Sequence, residues 1–367
     1  MRILLIITGL GLGGAERQVV DLADAFVSCG NDVLIVALTG KVVVQPSSCK
    51  VRIQLINMRK TIVGFVSAYM QLRKVISTFR PEVVHSHMVH ANLISRLLRL
   101  SVYIPRLICT AHSTNEGGEL RMWAYRLTDS LADLSTNVSA EAVAAFVAHG
   151  AVAPGRMISV SNGIDTDRFA LDRFAGEVVR NQMNVDPEVK IILAVGRLTK
   201  AKDYPSLLNA YRSLDNSVVR TQLWIVGDGE LWHELQNLVS MLSLNDNVRF
   251  LGVRHDVQNL MSAADVFVLS SAWEGFGLVV AEAMACECVV VATDCGGVRE
   301  VLGEIGYLVK PSDSKAIAEA LQIALKLPAV QCAALGSAAR QRVINNFSLD
   351  AAVAKWLLIY EGKVTIS

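Results

Sequence analysis

The sequence predicts an α/β protein of two doubly wound, Rossmann-like domains, and three observations predict it. Short apolar strand-like runs alternate with helix-like runs from end to end, the pattern of parallel sheets covered on both faces by helices. The alternation forms two series, separated by a polar stretch from Asp165 to Glu188. With 367 residues, 52% of them hydrophobic and 19% charged, the chain is long enough for two domains and apolar enough to give each a core.

The first series places strands near Ile3–Thr8, Val33–Leu38, Val51–Ile56, Val83–His85, Arg106–Thr110, Leu134–Val138 and Met157–Val160. Helices are expected near Ala15–Cys29, Ile62–Phe79, Ala91–Leu100, Leu120–Leu131 and Ala140–Ala148. The second series has strands near Lys190–Val195, Gln222–Val226, Val248–Leu251, Val266–Leu269, Val289–Ala292 and Gly306–Val309. These runs are apolar on both sides, as strands buried inside a parallel sheet must be. Domains are therefore expected at 1–170 and 171–349. A last helix at 350–367, apolar along Val353, Trp356, Leu357 and Tyr360, is expected to return to the first domain. Doubly wound sheets bind ligands outside the carboxyl ends of their strands, so the active site is expected in a cleft across which the domains face each other.

Gly9-Leu-Gly11-Leu-Gly13-Gly14 follows the first strand and satisfies G-x-G-x-x-G. A nicotinamide site also needs an acid at the end of the second strand to hold the adenosine ribose. That strand ends Ala37-Leu38-Thr39-Gly40-Lys41, and Asp32 stands at its other end. The dinucleotide reading is set aside, leaving a glycine turn whose amides could face phosphate or an acceptor.

Bulk properties exclude several classes. The uncharged run Ile3 to Ala15 is too short to span a bilayer and has no convincing cleavage site, so it reads as a buried strand. Seven cysteines without paired C-x-x-C spacing argue for a reducing compartment and against a disulfide or zinc framework. A cytoplasmic protein is expected, and no nucleic-acid partner. Net charge is +1, but Lys50 to Arg106 holds ten basic residues and one acid, Glu82. Such a segment suits a solvated surface, anionic lipid headgroups or a diphosphate-bearing acceptor. Within it, Ile62, Phe65, Tyr69, Leu72, Ile76 and Phe79 recur at helical spacing and read mainly as a core stripe. Arg17, Arg59, Lys60, Arg73 and Lys74 are the candidate acceptor or membrane contacts.

The most specific signals lie in the second series. Ser271-Ala-Trp-Glu274-Gly-Phe276-Gly277-Leu278-Val-Val-Ala-Glu282 fixes two carboxylates eight residues apart across a glycine-bearing strand-to-helix turn. The helix start offers amides to a phosphate, and each carboxylate can accept from a sugar diol. Gly196-Arg197-Leu198-Thr-Lys200-Ala-Lys202 opens at another strand end with three cations, which can grip diphosphate oxygens. Gly227-Asp-Gly229 and Asp294-Cys-Gly296-Gly297 repeat the glycine-turn logic.

In this order, with Gly13-Gly14-Ala15-Glu16-Arg17 and Ser161-Asn-Gly-Ile-Asp165, these motifs resemble the retaining nucleotide-sugar glycosyltransferases of family 4, also called group 1, which have the two-domain GT-B fold. The resemblance spans nearly the whole chain. It implies that Arg197 and Lys202 bind the diphosphate and stabilise it as leaving group, and that Glu274 and the amides of Phe276 to Leu278 contact the transferred sugar. Glu282 would hold the ribose. Gly13, Gly14, Gly196, Gly227 and Gly277 would line the donor site, and His112, in Cys109-Thr-Ala-His112-Ser, matches a family histidine near the donor sugar. The resemblance implies no cofactor and no metal, so His85-Ser-His87-Met-Val-His90 is not read as a metal cluster.

The expected activity is transfer, with retention, of a hexose or N-acetylhexosamine from a nucleotide sugar, by family habit a UDP-sugar. The acceptor suggested by the basic segment is a lipid-linked, polyprenyl-diphosphate saccharide at the inner face of a membrane, as in assembly of O-antigen, capsule or exopolysaccharide. One rival reading, an inverting GT-B transferase or nucleotide-sugar epimerase, could share the glycine turns; the other, of a different class, is a non-enzymatic bilobal binding protein.

Overall fold

A computed structural model describes residues 1–59, 61–114, 116–215 and 219–363; Lys60 lies outside the described residues. The chain divides into two compact units, one formed by Met1–Gly163 with the segment from Leu349 onward, the other by Ile164–Ser348.

The first unit holds β1 (Arg2–Ile7), α1 (Gly14–Ser28), β2 (Asp32–Ala37), β3 (Arg52–Leu55), α2 (Ile62–Phe79), β4 (Val83–His87), α3 (Val89–Leu98), β5 (Leu107–Ala111), α4 (Glu119–Thr128), β6 (Leu134–Asn137), α5 (Ala140–Ala148) and β7 (Met157–Ser159). Its seven strands, all paired in parallel, run β3-β2-β1-β4-β5-β6-β7. Leu4 and Ile6 of β1 pack toward α2 and α3, while Ile3, Leu5 and Ile7 pack toward α1. This is the alternation a two-faced buried strand produces.

The second unit follows with α6 (Arg173–Gln182), β8 (Lys190–Val195), α7 (Tyr204–Arg212), β9 (Thr221–Val226), α8 (Trp232–Met241), β10 (Val248–Gly252), α9 (Val257–Ala263), β11 (Val266–Leu269), α10 (Leu278–Ala285), β12 (Val289–Thr293), α11 (Val298–Leu302), β13 (Tyr307–Val309), α12 (Ser314–Leu325) and α13 (Ala329–Phe347). Its six parallel strands run β10-β9-β8-β11-β12-β13. The final helix, α14 (Leu349–Tyr360), belongs to the first unit, where Val353, Trp356, Ile359 and Tyr360 join the core over α1. Its Tyr360 hydroxyl lies 2.7 Å from His85 Nδ1, and its ring meets Phe26 at 5.4 Å.

Four expectations shift. The division falls at 163/164 and 348/349 instead of 170/171 and 349/350, because residues 164–169 are tied to the second unit. Ile164 pairs with Ser348, and Arg340 donates to the carbonyls of Thr166 and Phe169. The polar stretch 165–188 contains α6, whose sparse apolar residues hid it; Gly176 is pressed so closely on the Ser262 carbonyl of α9 that a Cβ would collide there. The stripe on α2 is only partly core. Leu72 and Ile76 are buried, but Ile62 is 85% exposed and Phe65 38%. Finally, the basic segment Lys50–Arg106 is not uniformly free. Arg96 is fully buried, donating to Tyr125 O, Thr128 Oγ1 and Ser135 Oγ, while Arg52 and Arg99 pair with Asp32 and Asp133.

Candidate functional site

In the second sheet, β8 has β9 on one side and β11 on the other, so the connections leave it in opposite directions. Loops after such strands separate at a topological switch point, where open α/β sheets bind ligands. The loop after β8 carries Gly196, Arg197 and Lys202; the loop after β11 carries Ser271 to Gly277. The candidate donor residues of the second series therefore lie on loops at the carboxyl edge of one sheet, whereas Gly13, Gly14 and His112 belong to the first unit.

Backbone hydrogen bonds lock these loops together. Gly227 N donates to Gly252 O at 2.8 Å, Leu198 N to Asp228 O at 3.0 Å, Leu231 N to Leu198 O at 3.0 Å, Ala272 N to Ala201 O at 2.8 Å and Gly297 N to Gly275 O at 3.2 Å. Two glycines have no tolerable replacement. Gly227, at φ +132°, faces the Gly196 carbonyl, and Gly296, at φ +57°, faces the Glu274 carbonyl; a Cβ on either would overlap that oxygen. Gly196 clears a path for a side chain instead, since its Cβ would stand 2.9 Å from Lys202 Cε.

Lys202 Nζ and Glu274 Oε1 form a close ion pair, their side chains 19% and 15% exposed. Ser271 Oγ donates to the same Glu274 oxygen at 2.7 Å, and Ser270 Oγ holds the Lys202 carbonyl at 2.8 Å. One oxygen of Glu274 is thus engaged with the lysine. Tyr204, buried below, donates to Gly196 O at 3.1 Å; burial and the neighbouring Glu274 charge push its hydroxyl pKa upward. Arg197 is different: it is exposed, and among the described residues its guanidinium has no hydrogen bond or ion pair. Its fork is left for a ligand or for water.

The helix α10 starts at Leu278 with Gly277 as N-cap, at φ +86°. The first amides of a helix lack intrahelical acceptors; here Val280 N already donates to Gly277 O at 2.9 Å, so Leu278 and Val279 are the amides that precede the first such bond. Phe276 turns its ring inward, 3% exposed and edge-on to Phe347 at 5.6 Å, so only its backbone faces the loop. Glu282 stands one turn inside α10 and half-buried.

The first unit carries a separate polar cluster at the carboxyl edge of its sheet. His112, just beyond β5, shares a 3.1 Å hydrogen bond between its Nε2 and Nδ1 of His87 on β4. Its backbone N–H donates to Glu116 Oε1 at 3.0 Å; Glu116 Oε2 accepts from the Tyr125 hydroxyl at 2.7 Å, and Asn92 donates to that hydroxyl at 2.8 Å. His85 lies 2.6 Å from Thr110 Oγ1 and stacks on His87 at 4.0 Å. The sequence motifs mark His112 and, in His85-Ser-His87-Met-Val-His90, also His87, but nothing in them marks Glu116. For His87 the available signal was a His-Ser-His end on an otherwise apolar buried strand. Among the described residues no group of three His, Cys, Asp or Glu side chains is placed to hold a metal ion.

Burial pulls His112 down to about 4, and pulls His85 and His87 well below 6.5. These rings are neutral in the fold near neutral pH, whereas the unfolded chain protonates them near 6.5. The unfolded state then binds more protons as pH falls, so stability present above pH 6.5 is lost progressively toward pH 4. The melting temperature is expected to fall between pH 7 and 5, and His87→Asn, which keeps a polar group at the Nδ1 position, should flatten that slope. Equal slopes would remove His87 from the account.

The α1 N-terminus is less open than the glycine turn suggested. Gly13 is its extended N-cap and Gly14 its first residue, but the Glu16 carboxylate folds back over Gly13, supplying the negative charge a helix start favours. Arg17 is committed to Asp21 at 2.7 Å. Arg59, Arg73 and Lys74 are exposed.

Comparison with known proteins follows this layout. The family described as "Glycosyltransferase Family 4" matches residues 12–168, and that described as "Glycosyl transferases group 1" matches 177–342. The alpha-maltose-1-phosphate synthase of Mycobacterium tuberculosis is 32% identical over 308 residues, 76% of this chain and 78% of that protein. A Campylobacter jejuni protein, N-acetylgalactosamine-N,N'-diacetylbacillosaminyl-diphospho-undecaprenol 4-alpha-N-acetylgalactosaminyltransferase, is 26% identical, with 88% and 89% covered. The crystal structure of HepE from Anabaena in complex with UDP aligns over 99% of this chain and 100% of that one, with a TM-score of 0.84 at 20% identity.

Proposed function

We propose, because this chain belongs to the family 4, group 1 glycosyltransferases and has their two-domain GT-B fold, that it transfers a hexose or N-acetylhexosamine with retention from a UDP-sugar to a lipid-linked saccharide. The observation that supports this reading is the switch-point arrangement of the second unit: Arg197, without a side-chain partner among the described residues, and Lys202 on the loop after β8, with Lys202 paired to Glu274 on the loop that leads into α10. The chemistry suits a diphosphate flanked by two sugars. Arg197, Lys202 and the α10 amides meet the diphosphate, Glu274 accepts from the transferred sugar, and Glu282 accepts from the ribose.

In the step itself, the bond between the anomeric carbon and the diphosphate oxygen breaks, and the electron pair leaves with the diphosphate. The acceptor hydroxyl oxygen bonds to the same face of that carbon, and its proton passes to the departing diphosphate oxygen. No side-chain base is required, so catalysis consists of positioning and charge stabilisation. On the first unit, His112 is proposed as a neutral hydrogen-bond partner for sugar, which its lowered pKa supports.

A UDP donor is supported by the UDP complex of the HepE structure, and a polyprenyl-diphosphate acceptor by the name of the Campylobacter relative. The proposed setting is surface polysaccharide synthesis in the cytoplasm, at the inner face of the membrane, with Arg59, Arg73 and Lys74 facing the lipid. A donor screen scored as nucleoside diphosphate release, with and without undecaprenyl-diphosphate saccharides, tests the reading. Donor binding without acceptor-dependent release would favour a binding protein instead.

A further inference from the structure

We propose that outward-facing apolar rows on α2 and α4 form one docking rim for an anionic lipid bilayer. A surface helix normally turns its single apolar stripe toward the core. The helix α4 has two. Met122 and Tyr125 are buried, while Leu120, Trp123 and Leu127, at i, i+3 and i+7 on the opposite side, are 88%, 62% and 69% exposed. Arg121 and Arg126, both exposed, flank this outer row on either side.

The first half of α2 repeats the arrangement. Ala68, Leu72, Val75 and Ile76 face the core, while Ile62, Val63, Val66 and Met70 share the outer face at 85%, 79%, 54% and 53% exposure. Arg73 and Lys74 continue that outer face as exposed cations. Beside it lies an open recess of about 320 Å³ lined by Gln54, Gln71, Lys74, Val75 and Thr78. Single exposed apolar residues are ordinary; seven gathered in two rows form a patch of the kind that marks an interaction surface.

Topology brings the rows together. The helix α3 packs against both α2 and α4, so the three form one layer. All strands of this sheet are parallel, and α2 and α4 both begin just beyond strand carboxyl ends, so their exposed first turns rise at the edge that also carries His87 and His112.

Charge selects the occupant. The exposed ionic groups on these two helices are Arg73, Lys74, Arg121 and Arg126 against one carboxylate, Glu119. Apolar side chains including tryptophan, bordered by cations, fit the interface of a bilayer bearing anionic headgroups. Among the described residues no single helix is long and apolar enough to cross a membrane. The purpose of the contact rests on the lipid-linked acceptor reading above: docking sets the sheet edge against the plane from which such a headgroup projects.

The test is flotation of the full chain with phosphatidylcholine vesicles, with and without phosphatidylglycerol. The wild type should float with the anionic vesicles at low salt. Leu120→Ser/Leu127→Ser and Ile62→Ser/Val63→Ser should each reduce binding about tenfold or more, and Arg121→Glu/Arg126→Glu should abolish the preference for anionic lipid. Unchanged UDP affinity would show that the variants fold. Failure of the wild type to float, or equal flotation of the serine variants, overturns the proposal. So does a dimer that the serine variants convert to monomer without altering flotation, since the rows would then join two copies. Loss of flotation with acceptor-dependent diphosphate release intact sinks only this surface; flotation without release sinks only the transferase reading.

Discussion

Replacing Arg197 with alanine is expected to lower kcat by about 10²–10³ at saturating donor, the range seen when one donor to a developing negative charge is removed. The expectation follows from where the guanidinium stands. It sits just beyond the carboxyl end of β8, exposed and without a side-chain hydrogen bond or ion pair among the described residues, so its removal breaks no such bond there. Melting temperature should therefore hold while turnover falls. Arg197→Lys should recover part of the loss, because an ammonium keeps the charge but not the planar two-point grip. A nearly unchanged kcat for the alanine variant would remove Arg197 from the leaving-group role.

The second large effect is expected at the Lys202–Glu274 pair. Lys202→Ala leaves the Glu274 carboxylate, 15% exposed, without its counter-charge beside an arriving diphosphate. Glu274→Ala frees the lysine and removes the carboxylate proposed to accept from the transferred sugar. Each should cost about 10² or more in kcat/KM, since an uncompensated, partly buried charge opposes the ligand in one case and positioning fails in the other. The double variant should not show the product of the two losses; a coupling on the order of 0.5–3 kcal/mol is expected for contacting residues. Glu282→Ala should instead raise the donor KM with kcat largely kept, the signature of lost uniform binding. If Glu282→Ala lowers kcat while KM stays constant, the ribose assignment is wrong.

The legible parts of this chain were those governed by local rules. Parallel strands such as Val289–Thr293 declare themselves because both faces are buried, and the turns at Gly227 and Gly296 because neither position has room for a Cβ. Arg197, Lys202 and Glu274 were legible as loop residues following the strands β8 and β11, and Glu282 as a residue inside the helix that follows, while their roles remain part of the proposal. What stayed hidden depended on tertiary contact. Nothing in the sequence says that Lys202 and Glu274 neutralise each other, that Glu16 closes over Gly13, or that Arg96 is a buried strut instead of a surface charge. The helix α6 escaped because few of its residues are buried, and the outer row of α4 because periodicity locates an apolar stripe without telling which stripe faces the core.

Anomeric configuration is the most direct check on the central claim, that a diphosphate held by Arg197 and Lys202 departs and receives the acceptor proton on one face of the sugar. Proton NMR of the saccharide formed from a UDP-sugar and an undecaprenyl-diphosphate acceptor should show the donor's anomeric configuration preserved, with one UDP released per bond formed. An inverted anomer, or UDP-sugar binding without acceptor-dependent UDP release, would contradict it.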